Sequence, residues 1–418
     1  MAYSIFPFKI TPGQPLPQAA LWFFEMEADP FVIQLKKYME WAHKMLTACL
    51  TVGGQVWEVR LRYNASVWFE ETLQEKFNEI HSTVCAPNSC KSRHVLGKLA
   101  PRLFFTNSQV YNRFTGTAKV LSSWKFVDVQ FGIVGAGGCG TTSLRKNFEQ
   151  HPQISFSNRN EDELYAPGYN HAYQGGFRML PTKAQVNMVN CGKGRCPRDD
   201  MKVKGNRKHG VKNYNLFNFD FGLTALSMVE NVKIILLVCD PLDRLEKVLY
   251  YNHCQFRGSC ENRSVIDSIV SGKDIKELVE SHREFWRASE RIMMLLSLFD
   301  QKNVLVVAWS KVHQEVLRKY PAWLYQGLFR HVGLEPPIDL GRYHRYNSYG
   351  GKRSGLCERK HLVKEFQKAL EPEYQELEEI LERMRHPKVQ ELSLRQTRCH
   401  RPNELRSTRR CVNQRCES

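Results

Sequence analysis

The stretch FGIVGAGGCGTTSLRKNFEQHP (residues 131–152) constrains the fold most, because it reads as an apolar strand, a glycine-rich loop and a helix in succession. A strand that turns directly into a helix exposes unpaired backbone N–H groups at the positive end of the helix dipole. Glycines let the backbone wrap around an anion without a Cβ in the way. The stretch therefore predicts an anion site at the start of the helix.

Two known motifs overlap in this loop. Residues 135–140 read G-x-G-x-x-G, which is typical of dinucleotide binding, and an acidic residue about 20 positions on would hold the ribose. Glu161 lies at that distance. Residues 135–142 also read G-x-x-x-x-G-T-T, a phosphate loop with Thr141 where a nucleoside triphosphatase has lysine. Because that lysine contacts the terminal phosphates, we do not expect ATP hydrolysis.

The pattern after residue 126 predicts an α/β fold. NVKIILLVCDP (231–241) and KNVLVVAW (302–309) are apolar runs of the kind that parallel strands make when both of their faces are covered. Helical patterns follow at 141–151, 241–253, 273–299 and 360–384, the last with a proline interruption. We predict a parallel sheet with helices on both faces, and a ligand beyond the carboxyl ends of the strands.

The sequence divides into three parts. Residues 1–125 have a helical pattern at 31–50 and a strand pattern at 56–69, which predicts a mixed α/β appendage of unknown role. Residues 126–385 form the predicted α/β domain, and residues 386–418 form a basic tail that contains cysteines.

Charge and cysteine content indicate an anionic partner and an oxidising compartment. The net charge is +17, and cysteines recur in the close pairs Cys85/Cys90, Cys191/Cys196 and Cys254/Cys260, which we predict to form local disulfides. Their spacing does not fit a zinc site, so we expect no metal. Two N-x-S sequons, at Asn64 and Asn262, agree with a glycoprotein. The sequence shows neither a secretory leader nor a membrane span, so a cytoplasmic location stays an alternative.

Several motifs together resemble the sulfotransferase family, in particular its carbohydrate and heparan-type enzymes. The first is the loop stretch up to HP, and the second is KIILLVCDPLDRLEKVLYY (233–251), which follows the family pattern R-D/N-P-x-x-R-x-x-S-x-Y. Between them VKNYNLF (211–217) stands where the family carries a lysine-containing segment. YPAWLYQGLFRHVGLEPP (320–337) and YGGKRSGLCERKHLVKEF (349–366) follow in the family order. The resemblance covers roughly residues 126–385 and implies a P-loop-like sulfotransferase fold.

The resemblance implies a donor, 3′-phosphoadenosine 5′-phosphosulfate, and the residues that would bind it. The loop would hold the 5′-phosphate, the segment after the second strand would face the 3′-phosphate, and the late loop would close over it. The donor-binding residues implied are Gly135, Gly137, Gly138, Cys139, Gly140, Thr141, Thr142, Arg244, Lys247, Lys352 and Arg353. The family's loop lysine falls on Gly138, its strand-end arginine on Cys239 and its serine on Lys247.

The remaining roles concern catalysis and the acceptor. Lys212 is the hypothetical replacement for the missing loop lysine, and Glu161 is the candidate general base, with a solvated acidic turn as its alternative. The basic segment 193–212 could hold an acidic polysaccharide or glycan, and nucleic acid is not expected because no nucleic-acid module is recognisable. The resemblance favours a Golgi or secretory enzyme that sulfates a carbohydrate-type hydroxyl.

Two other functions stay open. The first is an NAD-binding oxidoreductase that uses Gly135, Gly137, Gly140 and Glu161. The second is a catalytically weak binding protein on the sulfotransferase scaffold. Glycine at position 138, where the family has lysine, would explain the weak catalysis.

Overall fold

The computed structural model describes residues 28–63, 79–100, 114–135, 139–156, 180–191, 208–213, 216–217, 220–257, 265–308, 322–336 and 355–384. The chain divides into two compact units, of which the first takes residues 1–129, 157–204 and 220–230. The second takes residues 130–156, 205–219 and 231–418. The domain boundaries predicted at 125 and 385 stay predictions.

The described strands, in chain order, are β1 (Gly54–Tyr63), β2 (Glu79–Pro87), β3 (Phe114–Val120), β4 (Phe131–Gly135), β5 (Ile154–Phe156), β6 (Lys208–Lys212), β7 (Lys233–Val238) and β8 (Val304–Ala308). The longer described helices are α1 (Ala28–Thr51), α2 (Thr141–Phe148), α3 (Lys183–Cys191), α4 (Asp220–Ser227), α5 (Pro241–Arg257), α6 (Val265–Val270), α7 (Ile275–Glu280), α8 (Arg283–Trp286), α9 (Ser289–Leu298), α10 (Ala322–His331), α11 (Lys360–Ala369) and α12 (Glu371–Met384). No described helix combines the length and the apolar character that crossing a membrane requires.

The first unit contains a three-stranded antiparallel sheet in the order β2-β1-β3. A disulfide joins Cys49, in the last turn of α1, to Cys85 on β2, with their Cα atoms 5.9 Å apart. The predicted Cys85–Cys90 disulfide is therefore wrong, and Cys90 forms no disulfide. Cys85 is buried with Cys49 in one apolar cluster, whereas Cys90 follows the turn that ends β2, so packing selects the distant partner. The other two predicted pairs involve side chains outside the described set.

The second unit is built on a five-stranded sheet in the order β5-β6-β4-β7-β8, with every neighbouring pair parallel. The predicted α/β class with a parallel sheet is confirmed. The central strand β4 is buried at all five residues, as its sequence FGIVG requires between two neighbours.

Two glycines allow β4 to pack closely against its neighbours. A Cβ on Gly135 would lie 2.7 Å from the carbonyl oxygen of Leu237 on β7. A Cβ on Gly210, in β6, would lie 2.2 Å from the ring of Phe131. Since neither backbone carbonyl nor packed ring can give way cheaply, both positions require glycine.

The strand order creates a switch point between β4 and β7. After β4 the chain continues to β5 on one side of the sheet, and after β7 it continues to β8 on the other side. Right-handed crossovers in opposite directions place the following helices on opposite faces, which leaves a crevice beyond the two strand ends. The sheet therefore directs a ligand to the loops after β4 and β7.

One predicted helix is broken in the structure. Residues 273–299 form α7, α8 and α9 rather than one long helix. The buried carboxylate of Glu373 on α12 accepts hydrogen bonds from the backbone N–H groups of Ala288 (2.7 Å) and Ser289 (3.0 Å) and so caps α9 from a distant part of the chain. Arg287 has extended backbone at the break.

The predicted interruption near Pro372 is confirmed, because that proline lies in the first turn of α12.

The strand β6 was not predicted from the sequence, in which residues 193–212 were treated only as a basic segment. Its sequence KHGVK lacks the apolar run of a central parallel strand, although its last three residues are buried. Pairing with β4 and β5 on both sides outweighs the weak local preference.

The capping carboxylate predicts a pH-dependent stability. Burial raises the pKa of Glu373 to about 7, above the ordinary value of 4.5. Because the folded pKa is the higher one, ionisation costs stability as the pH rises from about 4.5 through about 7, by an amount on the order of 3 kcal/mol. We expect the melting temperature of the Glu373→Gln variant to fall less than that of the native chain when the pH is raised from 5 to 8. Glu382→Gln, on the exposed side of α12, is the control, and parallel curves for all three proteins would contradict the prediction.

Candidate anion-binding site

The loop after β4 leads directly into α2. Gly140 is the N-cap of α2 and has φ of 89°, a left-handed conformation that favours glycine. The carbonyl of Gly140 accepts the first helical hydrogen bond, from the N–H of Leu144, at 3.0 Å. Thr141 and Thr142 follow as the first two helical residues, where backbone N–H groups have no partner within the helix. The geometry fits an anion site of the kind that the sequence predicted.

A buried cation lies beside this helix start. Lys212 is the last residue of β6, and its side chain is 1% exposed. Its ammonium group Nζ donates a hydrogen bond of 3.0 Å to the hydroxyl Oγ1 of Thr142. The structure thus places Lys212 at the loop, although its role as the replacement cation stays a prediction.

A disulfide crosses the crevice between β4 and β7. Cys139 in the loop is bonded to Cys239, the residue after β7, and the two Cα atoms are 5.5 Å apart. Both residues are buried, Cys139 fully and Cys239 at 8% exposure. The side chain of Cys139 is therefore a cross-link rather than a free thiol. Cys239, the position at which the predicted resemblance would place an arginine, provides the other half of the bond.

The residue after this disulfide is a buried carboxylate. Asp240 is 3% exposed, and its Oδ1 accepts hydrogen bonds from the N–H of Leu242 (2.8 Å) and from the hydroxyl of Tyr374 (2.6 Å). Among the described residues, Oδ2 has no hydrogen-bond partner. Burial, together with the neighbouring Asp243, raises the pKa of the Asp240 carboxyl to about 7. This carboxylate caps the start of α5 and connects it to α12.

Two predicted cations lie on α5. Arg244 is in its first turns and is 6% exposed, and burial lowers the pKa of its guanidinium to about 10, which leaves it charged at neutral pH. Lys247 is half-buried three residues later, on the same side of the helix. The start of α5 therefore carries two cations at the strand end next to the glycine loop, among the acidic residues Asp240, Asp243 and Glu246.

Five predicted site residues lie outside the described residues, so the structure does not place them relative to the loop. These are Gly137, Gly138, Glu161, Lys352 and Arg353. Among the described residues, no group of three or more His, Cys, Asp or Glu side chains could hold a metal ion.

The sequence analysis missed two parts of the site, the Cys139–Cys239 disulfide and the Asp240–Tyr374 hydrogen bond. A signal for the disulfide was present, because each cysteine lies two residues before a predicted helix and just beyond a predicted buried strand. If those strands are adjacent and parallel, the cysteines meet. No sequence pattern connects Asp240 with Tyr374, which are 134 residues apart.

No protein-family model matches the chain, and no curated protein matches it. Among solved structures, a sulfotransferase from Alicyclobacillus acidocaldarius matches 61% of this chain and 96% of its own, at 16% identity and a TM-score of 0.40. The sulfotransferase domain of the Synechococcus PCC 7002 olefin synthase matches 57% of this chain and 86% of its own, at 16% identity and a TM-score of 0.33. Mouse sulfotransferase SULT7A1 complexed with PAP matches 60% of this chain and 67% of its own, at 10% identity and a TM-score of 0.29. Likenesses this distant carry no conclusion about function, which has to come from the site.

The Asp240–Tyr374 pair predicts a pH-dependent effect of removing the hydroxyl. Ionisation of Asp240 already costs stability as the pH rises through about 7, and Tyr374→Phe removes a donor that favours the charged form. We expect this variant to lose about 1–3 kcal/mol of unfolding free energy, and to lose more at pH 8 than at pH 6. Urea denaturation at the two pH values measures the difference.

Tyr325→Phe is the matched control for that measurement. Tyr325 is also buried, but its hydroxyl accepts a hydrogen bond of 3.1 Å from the amide of Asn147 instead of contacting a carboxylate. Loss of the Tyr325 hydroxyl should lower the unfolding free energy by the same amount at pH 6 and at pH 8. Equal pH dependence of the two variants would contradict the account of Asp240.

Proposed function

We propose that this chain is a sulfotransferase that moves a sulfuryl group from 3′-phosphoadenosine 5′-phosphosulfate to a hydroxyl of a carbohydrate-type acceptor. The observation that carries the proposal is the pair of buried cations at the carboxyl ends of β6 and β7, the two strands that flank β4. Lys212 lies beside the start of α2, and Arg244 lies in the first turns of α5. A donor with phosphates on both its 5′ and 3′ oxygens would use both positions.

The arrangement separates this donor from the two other nucleotide classes. A nucleoside triphosphate would require the loop lysine, and threonine occupies position 141 instead. NAD carries its negative charge in one pyrophosphate, which the glycine loop alone could hold. That single pyrophosphate gives NAD no second phosphate to place near the buried guanidinium of Arg244 on α5. The second cation therefore favours the phosphoadenosine donor.

The transfer step follows from the charges. The acceptor oxygen forms a bond to sulfur while the bond from sulfur to the 5′-phosphate oxygen breaks, and the acceptor proton passes to a base, for which Glu161 is the candidate. By analogy with phosphoryl transfer, the transition state is loose and negative charge develops on the departing phosphate. The ammonium group of Lys212 would stabilise that charge and assist departure. Lys247, Lys352 and Arg353 would complete the binding of the 3′-phosphate.

The acceptor and the compartment belong to the same proposal. The basic segment 193–212 would attract an acidic polysaccharide or glycan. Two disulfides among the described residues, Cys49–Cys85 and Cys139–Cys239, fit an oxidising secretory lumen such as the Golgi.

A catalytically weak donor-binding protein is the second candidate. It is favoured by the replacement of two family cations, by Gly138 in the loop and by Cys239 at the strand end. Both candidates predict binding of the donor nucleotide, and only the first predicts turnover.

Binding is tested by calorimetric titration with 3′,5′-phosphoadenosine phosphate, with NAD as the comparison ligand. We expect phosphoadenosine phosphate to bind and NAD not to bind. Arg244→Ala combined with Lys247→Ala should weaken binding about 10- to 100-fold, because a buried charge-assisted contact contributes about 1.5–3 kcal/mol. Lys360→Ala with Lys364→Ala, on exposed positions of α11, removes the same charge and should leave the affinity unchanged. Binding of NAD alone would overturn the proposal.

Turnover is tested with Lys212→Met, which keeps the length of the side chain and removes its charge. We expect the release of phosphoadenosine phosphate from the donor to slow about 10²- to 10³-fold, with a smaller change in donor affinity. Lys208→Met, at the opposite end of the same strand, is the control and should retain full turnover. If both variants keep the native rate, Lys212 is not the replacement cation.

A further inference from the structure

We infer that the Cys139–Cys239 disulfide is the positioning element of the donor site, so that the glycine loop holds its anion tightly only while this bond is intact. The identity of the anion, a phosphate of phosphoadenosine, rests on the proposed function. The position of the bond rests on the structure alone.

The bond lies at the one place where it can fix both halves of the site. Each half-cystine is two residues before a helix, Cys139 before α2 and Cys239 before α5. The strands that precede them, β4 and β7, are adjacent and parallel. The bond therefore joins the two helix starts across the switch point of the sheet, which is the crevice where such sheets bind ligands.

The sequence of the loop gives a physical reason for such a restraint. Three of the five residues 136–140 are glycines, and glycine loses more conformational freedom than any other residue when its backbone is fixed. Fixing one residue costs about 1–2 kcal/mol. In this chain the loop contains no lysine whose charge could attract the phosphate. A bond that holds the loop before the ligand arrives lowers the ordering cost that binding would otherwise bear.

The same bond makes the site sensitive to dithiols. A thiolate of a dithiol reductant attacks one sulfur and forms a mixed disulfide, and the second thiol of the reductant then displaces it. The protein gains two thiols, and the reductant becomes a disulfide with the loss of two electrons and two protons.

The other disulfide provides a matched comparison. Cys49–Cys85 also joins two buried cysteines, but it links α1 to β2 in the first unit, and the apolar cluster around it contains none of the candidate site residues that the structure describes. A bond that serves only stability should affect melting temperature and leave the donor site alone. The two bonds therefore separate a positioning role from a structural one.

The experiment compares Cys139→Ala with Cys239→Ala against Cys49→Ala with Cys85→Ala, in the full chain. The first readout is the affinity for phosphoadenosine phosphate by calorimetry. We expect the loss of Cys139–Cys239 to weaken binding of phosphoadenosine phosphate at least about tenfold. The loss of Cys49–Cys85 should lower the melting temperature by a comparable amount and leave this affinity unchanged. Equal affinity in both variants would overturn the inference.

Hydrogen exchange of backbone N–H groups provides the second readout, which needs no ligand. We expect faster exchange in residues 139–144 of the first variant and unchanged exchange in α10. If the native chain binds no phosphoadenosine phosphate, the proposed function has failed, and this readout still decides the positioning role. If residues 139–144 of the first variant exchange at the same rates as in the native chain, the positioning role is overturned. Should the first variant not fold, reduction of the native chain by dithiothreitol, with the broken bonds mapped by alkylation, replaces it in both readouts.

Discussion

The parallel pairing of β4 with both β6 and β7 is the constraint on which the site depends. It aligns the carboxyl ends of three strands, so that Lys212, the glycine loop and Cys239 come to the same edge of the sheet. The close approach at Gly135 and Gly210 makes this pairing possible, because any side chain there would meet the backbone of β7 or the ring of Phe131. The chain after β4 then enters α2 at Thr141, and the first backbone N–H groups of that helix have no partner within it.

Buried charged groups lie at the carboxyl-end edge of the parallel sheet. Isolated charges are costly to bury, and proteins retain them where hydrogen bonds or ligands compensate. Here Lys212 contacts a threonine hydroxyl, and Asp240 accepts hydrogen bonds on only one of its two oxygens. Glu373 differs, because it is fully engaged in capping α9 and so serves the fold.

Sequence reasoning was most successful where a pattern is local. The apolar runs that became β4, β7 and β8 and the glycine loop before α2 are set by contiguous residues. It failed where distant residues decide. KHGVK became a strand only because two neighbours pair with it, and residues 273–299 broke into three helices because Glu373 caps Ser289 from 84 positions away. The disulfide of Cys139 needed the strand order, which no single segment encodes.

The central claim is that one nucleotide lies across the loop after β4 and the start of α5. A crystal structure of the oxidised protein with 3′,5′-phosphoadenosine phosphate tests it most directly. The account predicts one phosphate on the backbone N–H groups of residues 139–142, near the ammonium group of Lys212. The other phosphate should lie within hydrogen-bond distance of Arg244 or Lys247. A nucleotide bound elsewhere, or one whose two phosphates both avoid α5, would contradict the account.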